Sequence, residues 1–543
     1  MMGDVIAFAV LSGPLPRIGV IIVALLAGGV LLAPARRARA LAMFGALVLA
    51  PVLLVASVWH DSKLDVVHDH PLDAVVAVLV AIAVGIALAV WLSRHPRVFA
   101  PLAVLALPFR VPITTGGTTS NLLVPLYAVV AVGGLAYIGG AWRRARSPYL
   151  SRREETAARD APAAPRSTPE PRLLTTVERL LALTLVLYAV QSLYSADFQA
   201  ALQNMVFFYV PFTLLYRLLR EVLWGRGMLR GCLLVAVGLG LVFSAIGFAE
   251  YATKSIFLNS KLVYSNDLHA YFTVNSVFDD PDIFGRYLAL TMLLLSAGLL
   301  YRRAGRELWG TITALAVMWA CLCLTLSRSS LAALLVGLAV LAALRWRPSR
   351  ALVVAVVVIA IGAITIAATP RTFGLNQGVN GVASGRGGLV SGGISLFSQR
   401  PLYGYGSGSF VTQYRRHHHN VDTTLSASHT IPITVAAEQG LIGLIVYLAL
   451  ILSALGLLVR GARGDPARSA IAATFAGLLF HTLLYADFLE DPTTWALLGV
   501  GAALTAASPP GPRSRRAKQR CQSPRVPSDV SPSAVQNVPF VGP

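Results

Sequence analysis

Three side chains in this sequence are of the types that handle phosphate and protons, and each stands where the chain changes character. Arg328 lies in LTLSRSS (324–330), where one apolar run gives way to another. Arg386 lies in SGR (384–386), inside a glycine-rich stretch, and His429 lies in SASHTIPITVAAEQGLIGL (426–444), where a polar stretch enters an apolar run. A guanidinium presents a planar, permanently charged donor fork that fits phosphate oxygens. An imidazole accepts a proton near neutral pH. Together such groups can hold a pyrophosphate, take the proton of an attacking hydroxyl and stabilise a phosphate leaving group without a metal. Each residue also has a plainer reading. Arg328 reads equally as an interfacial arginine snorkelling to lipid headgroups, Arg386 as a solvated loop side chain, and His429 as an ordinary helix-start histidine.

The elements that must position these groups are set by composition. Of 543 residues 56% are hydrophobic and 13% charged, against about 25% charged in soluble proteins. Apolar runs such as 73–92 and 351–368 are long enough to cross a hydrocarbon core about 30 Å thick, and in lipid they must close their hydrogen bonds as helices. The expected fold is all-α: a polytopic transmembrane bundle of about 12–15 helices. The spans read as 18–34, 40–59, 73–92, 98–112, 121–141, 176–195, 201–219, 229–249, 283–301, 308–326, 330–345, 351–368, 431–459, 469–487 and 492–508. The N-terminal apolar stretch continues into this pattern, so it reads as a span rather than a cleavable signal.

The formal charge of +20 does not point to nucleic acid, because the arginines fall in short clusters between spans: Arg36, Arg37 and Arg39; Arg94 and Arg97; Arg302, Arg303 and Arg306; Arg345, Arg347 and Arg350; Arg460, Arg463 and Arg468. Alternating the spans puts all of them on one side, which the positive-inside rule makes cytoplasmic. The Arg/Pro/Ala-rich linker 142–175 and the basic tail 509–543 join that side and read as disordered. One membrane domain, 1–508, is expected in a cell inner (cytoplasmic) membrane, with membrane lipids as neighbours. The opposite side receives 60–71, 114–120, 250–282, 487–492 and the longest stretch, 369–430, which holds eleven glycines between Gly374 and Gly408. Within it Val390, Ile394 and Phe397 have the spacing of a short amphipathic helix lying on the membrane or the bundle.

Other patterns carry less. Three adjacent histidines in RRHHHN (415–420) lack the spacing of a structural metal site. Gly404, Gly406 and Gly408 imitate a dinucleotide turn, but no strand precedes them, so they read as a flexible turn. Glu438, nine residues after His429, falls on the opposite face of a regular helix and suits a neighbouring-helix contact. Cys321 and Cys323 face different sides of one helix, and the four cysteines form neither a metal nor a disulfide pattern. No cofactor is expected.

These segments resemble the O-antigen ligase and polymerase superfamily of C-type membrane glycosyltransferases. His429, Thr430, nine residues, Gly440 and Gly443 match the ligase spacing, with a threonine where Asn, Ser or Gln is usual. LTLSRSS resembles the family's Ser-Arg motif, and SGR followed by RPLYGYGSGSF its loop signature. VFDDPDIFGRYLAL (277–290) resembles its Asp/Asn-Pro-Asn helix start, with Asp282 in the last place. The likeness covers roughly 200–480. It implies an inverting transfer of a glycan from a polyprenyl-pyrophosphate donor, with no metal and no nucleotide sugar, to an envelope glycan, lipid or protein acceptor on the extracytoplasmic side. It also implies His429 as general base and Arg328 and Arg386 on the donor pyrophosphate. The histidine spacing favours a ligase over a polymerase. A solute transporter, the competing class, would carry ionisable residues at mid-helix, broken helices and a repeat; a non-enzymatic envelope scaffold is the third reading.

Overall fold

Each long apolar run closes its own hydrogen bonds as a helix, as a chain surrounded by hydrocarbon must. The computed structural model describes residues 14–58, 70–115, 118–145, 169–256, 266, 272–301, 306–346, 349, 353, 387–417, 430–507 and 542. In chain order the helices are α1 (Pro14–Leu32), α2 (Arg36–Val58), α3 (Pro71–Arg94), α4 (Phe99–Ala106), α5 (Val124–Ala145), α6 (Pro169–Ser192) and α7 (Phe198–Asn204). A π turn (Met205–Tyr209) carries α7 into α8 (Val210–Glu221). Then come α9 (Arg226–Thr253), α10 (Pro281–Tyr301), α11 (Arg306–Leu324), α12 (Arg328–Arg345), α13 (Gly387–Gln399), α14 (Phe410–His417), α15 (Ile431–Val459), α16 (Pro466–Leu484) and α17 (Pro492–Ala507). Among the described residues twelve helices are long and apolar enough to span a membrane, with α7 and α8 counted as one. This is a multi-pass helical membrane protein. The expected span 351–368 lies outside the described residues, Val353 excepted.

The expected 98–112 span does not form. A 3-10 turn (Pro96–Val98) leads into α4, which stops at Ala106. The helical stretch Pro96–Ala106 reaches only about 17 Å at helical rise, roughly half a hydrocarbon core. Pro108 and Pro112 cannot donate to a helical ladder, and the chain turns instead into a hairpin. Its strands β1 (Val111–Thr115) and β2 (Thr118–Leu122) pair antiparallel, with Thr115 opposite Thr118.

Helices α10, α12 and α16 pack against one another, and small residues set how closely. A Cβ on Gly477 of α16 would lie 2.8 Å from the Ala333 carbonyl oxygen of α12. A Cβ on Gly285 of α10 would lie 2.8 Å from Ser330 Oγ. Close approach of this kind is what packs helices where lipid offers no hydrophobic drive. By contrast α3 leaves Val76, Leu79, Val80 and Ile82 more than half exposed, the pattern of a helix facing lipid. At the end of the bundle opposite Arg328, basic side chains are tied to neighbouring helices: Arg220 to Glu178, Arg39 to Glu221 at 3.3 Å, and Arg230 to Glu307 at 3.1 Å.

Helix α15 is broken at Gly440, whose φ of +65° and ψ of −163° leave the helical ladder. The segment 400–410 takes up the groups that the break releases. Tyr405 and Gly406 donate their N–H groups to the carbonyls of Ala437 and Glu438 at 3.1 and 2.8 Å, and Leu441 N–H reaches the Pro401 carbonyl at 2.7 Å. The Gln191 amide of α6 covers the Gln439 carbonyl at 3.1 Å. A break inside an apolar helix is tolerated because its backbone is satisfied by protein.

Candidate functional site

Arg328 opens α12, and the residues around it fix where it stands. Ser327 is the N-cap, its Oγ accepting the Ser330 N–H; this is the ordinary way a helix start satisfies an orphan donor. The preceding Leu326 adopts φ +53°, a left-handed turn that a branched side chain seldom takes. On the facing helix, Asp280 and Pro281 start α10 as N-cap and first residue, with Asp280 Oδ1 accepting Asp282 N–H at 2.6 Å. Asp282 then reaches across. Its Oδ1 accepts the hydroxyls of Ser327 and of Ser329, the latter at 3.0 Å, and its main-chain carbonyl accepts Ser330 Oγ at 3.2 Å. His481 of α16 completes the cluster, with Nε2 3.2 Å from both Ser329 Oγ and Ser330 Oγ. His481 is 0% exposed, so it touches protein and no substrate.

The half-buried Arg328 therefore occupies the first turn of a helix, where the partial positive charge of the N-terminus disfavours a cation by about 0.3–1 kcal/mol. The same arrangement suits an anion. A guanidinium at the positive end of a helix is a place for phosphate.

A second set of acids lies nearby. Asp280 Oδ2 accepts the Tyr485 hydroxyl at 2.6 Å, and burial together with the Asp282 carboxylate pushes the Asp280 carboxyl up to about 6. Arg286, 3% exposed, pairs with Asp491 at 3.0 Å. Beside that pair an apolar cavity of about 340 Å³ opens between α4, α9, α10, α16 and α17, with Leu290, Leu294, Ala470 and Leu497 on its walls.

The segment RPLYGYGSGSF is held as firmly as the helices. Gly404, Gly406 and Gly408 have φ of +67°, +94° and +75°, and a Cβ on them would strike the backbone of Glu438, Ser195 and Ala201. They form a docked turn, which corrects the expectation of a flexible one. Glu438 accepts the N–H groups of Gly408 and Phe410, each at 2.9 Å, and so caps α14. The expected neighbouring-helix contact is there, although α15 is not regular. Helix α13 buries Leu389, Gly392, Gly393 and Leu396 against α15, while Ile394 is 54% exposed. The Val390, Ile394, Phe397 stripe thus marks the outer side of this helix.

Of the three residues singled out by chemistry, Arg328 lies in the cluster just described, and Arg386 and His429 lie outside the described residues. His418 and His419 also lie outside them, while His417 Nδ1 is 2.8 Å from the Gln413 carbonyl oxygen. His481 and the Arg286–Asp491 pair were not singled out by the sequence. The signal was present, since ionisable residues within spans are rare and usually partnered.

The segment carrying this geometry also carries a family. The O-antigen ligase family model matches residues 313–448, from within α11 through Arg328, the docked segment 400–410 and the break at Gly440. The chain is thus a multi-pass helical membrane protein with an O-antigen ligase-like segment at residues 313–448. Over that segment the chain is similar to the O-antigen ligase family. Asp282 and His481 fall outside the matched residues. No curated protein and no solved structure matches the chain.

Proposed function

We propose that this chain transfers a glycan from a polyprenyl-pyrophosphate donor to an acceptor hydroxyl outside the cytoplasmic membrane. His429 takes the proton of the attacking hydroxyl as its oxygen bonds to the anomeric carbon of the donor sugar. The bond from that carbon to the pyrophosphate oxygen breaks, polyprenyl pyrophosphate leaves, and the anomeric configuration inverts. Arg328 and Arg386 hold the departing pyrophosphate and spread its charge, so no metal is required. A polymerase of the same fold would differ only in its acceptor.

The observation that carries this reading is Arg328 itself: a guanidinium set into the first turn of α12, inside the matched segment, with the bonded Ser327 and Ser329 on either side. Two features support it. The apolar cavity beside Arg286 and Asp491 suits a hydrocarbon chain far better than a sugar. The arginines at the opposite end of the bundle accord with a cytoplasmic location there, which would leave Arg328 outside. The test is reconstitution of the purified chain in liposomes with a labelled lipid-linked oligosaccharide. Appearance of the label on an acceptor supports the reading. Uptake of solute without transfer would replace it with a transporter.

A further inference from the structure

We propose that His481, acting through Ser329, Ser330 and Asp282, is a positioning residue for Arg328. This rests on the reading of Arg328 as a pyrophosphate ligand and adds the device that aims it. Ser327 and Ser329 reach Asp282 Oδ1, Ser330 reaches the Asp282 carbonyl, and Ser327 Oγ also lies 2.8 Å from Ser330 Oγ. His481 Nε2 joins this network from α16, 3.2 Å from the Oγ atoms of Ser329 and Ser330. With Ser327 and Ser329 turned towards the Asp282 carboxylate, an Nε2–H on the ring meets the lone pairs that the serine oxygens leave open. The Tyr485 ring, 5.5 Å away between centroids, and the close approach of α12 to Gly477 leave the imidazole little room to turn.

The consequence falls on Arg328. The residues on both sides of it, Ser327 and Ser329, are 4% exposed and locked to α10, and Ser329 is locked to α16 as well. The backbone that carries the guanidinium is therefore fixed from two neighbouring helices, on the α16 side by a histidine that is 0% exposed. Losing the His481 contact frees the α16 side of this lock and lets the arginine drift. Small misplacements of a binding group have large effects on ligand affinity.

The experiment uses the full-length chain in detergent, with long-chain polyprenyl pyrophosphate as the binding probe and transfer kinetics alongside. His481→Ala is expected to weaken pyrophosphate binding and raise the donor KM about tenfold, the worth of a hydrogen bond or two, with the acceptor KM and the pH profile unchanged and a modest fall in melting temperature from the buried ring removed. His481→Gln, whose amide N–H reaches the Nε2 position, is expected to recover most of the loss; His481→Asn, which is too short, is not. Ser329→Ala should resemble His481→Ala and serves if that variant does not accumulate. Equal donor-binding defects in the Gln and Ala variants, both measured below their melting temperatures, would overturn the positioning role, as would donor and acceptor KM rising together. Arg328→Ala separates the two readings. If it binds pyrophosphate normally, the pyrophosphate reading fails and the positioning role with it. If it fails to bind while His481→Ala binds normally, only the positioning role is overturned.

Discussion

Glu438 accepts the Phe410 N–H at 2.9 Å across 28 positions of sequence, and with its other oxygen it accepts Gly408 N–H at the same distance. One buried carboxylate on a membrane helix thus caps α14 and pins the glycine turn that precedes it.

Glu438→Gln should therefore loosen this segment. An amide offers one acceptor and turns its NH₂ towards the second backbone donor, leaving two donors opposed. Removing a partner from a buried donor costs about 1–3 kcal/mol, enough to lower the melting temperature in detergent and to expose 400–410 to protease. Unchanged melting and protease resistance in the Gln variant would mean that the carboxylate does not hold the turn.

How much of this was legible beforehand depended on the range of the interaction. Spans such as 73–92 were readable because a run of apolar residues decides its own helix, whatever surrounds it. The short helix α13 was readable from the spacing of Val390, Ile394 and Phe397. The break at Gly440 was not, since GLIG sits in an apolar run and breaks only because the backbone at Pro401, Tyr405 and Gly406 is there to satisfy it. The 98–112 run misled because hydropathy counts residues and ignores the prolines that end α4. Arg328 was found because its type and place were local signals. No local pattern marks His481; its partners Ser329 and Ser330 lie 152 and 151 positions away.

A pH dependence follows from Glu490, which lies between α16 and α17. Burial first, then the neighbouring Asp487 and Glu438, pushes its carboxyl up to about 8. An acid whose folded value exceeds its unfolded value holds its proton more tightly when folded. It stabilises the fold fully below the unfolded value of 4.5 and loses that contribution as pH rises through about 8. The wild-type melting temperature should fall from pH 5 to beyond pH 8, and Glu490→Gln should remove the upper part of that fall. Parallel curves for the two proteins would show that Glu490 does not titrate as described.

Sidedness is open to direct measurement at Ser391, which lies exposed on α13. With Cys232, Cys321, Cys323 and Cys521 replaced, a cysteine introduced by Ser391→Cys should react in intact cells with a reagent that does not cross membranes. Reaction only after permeabilisation would place α13 in the cytoplasm and remove the extracytoplasmic site.

If His429 is the base of the transfer, purified His429→Ala should turn over poorly with a polyprenyl-pyrophosphate-linked glycan as donor. Transfer should fall by about 10²–10⁴-fold, the usual contribution of general acid–base catalysis. Donor binding and melting temperature should hold near wild type. His429→Gln, which hydrogen-bonds but does not take a proton at neutral pH, should be nearly as poor, while alanine at His417, His418 or His419 should be tolerated. Near-normal turnover in His429→Ala would contradict the mechanism even with the fold and the family intact.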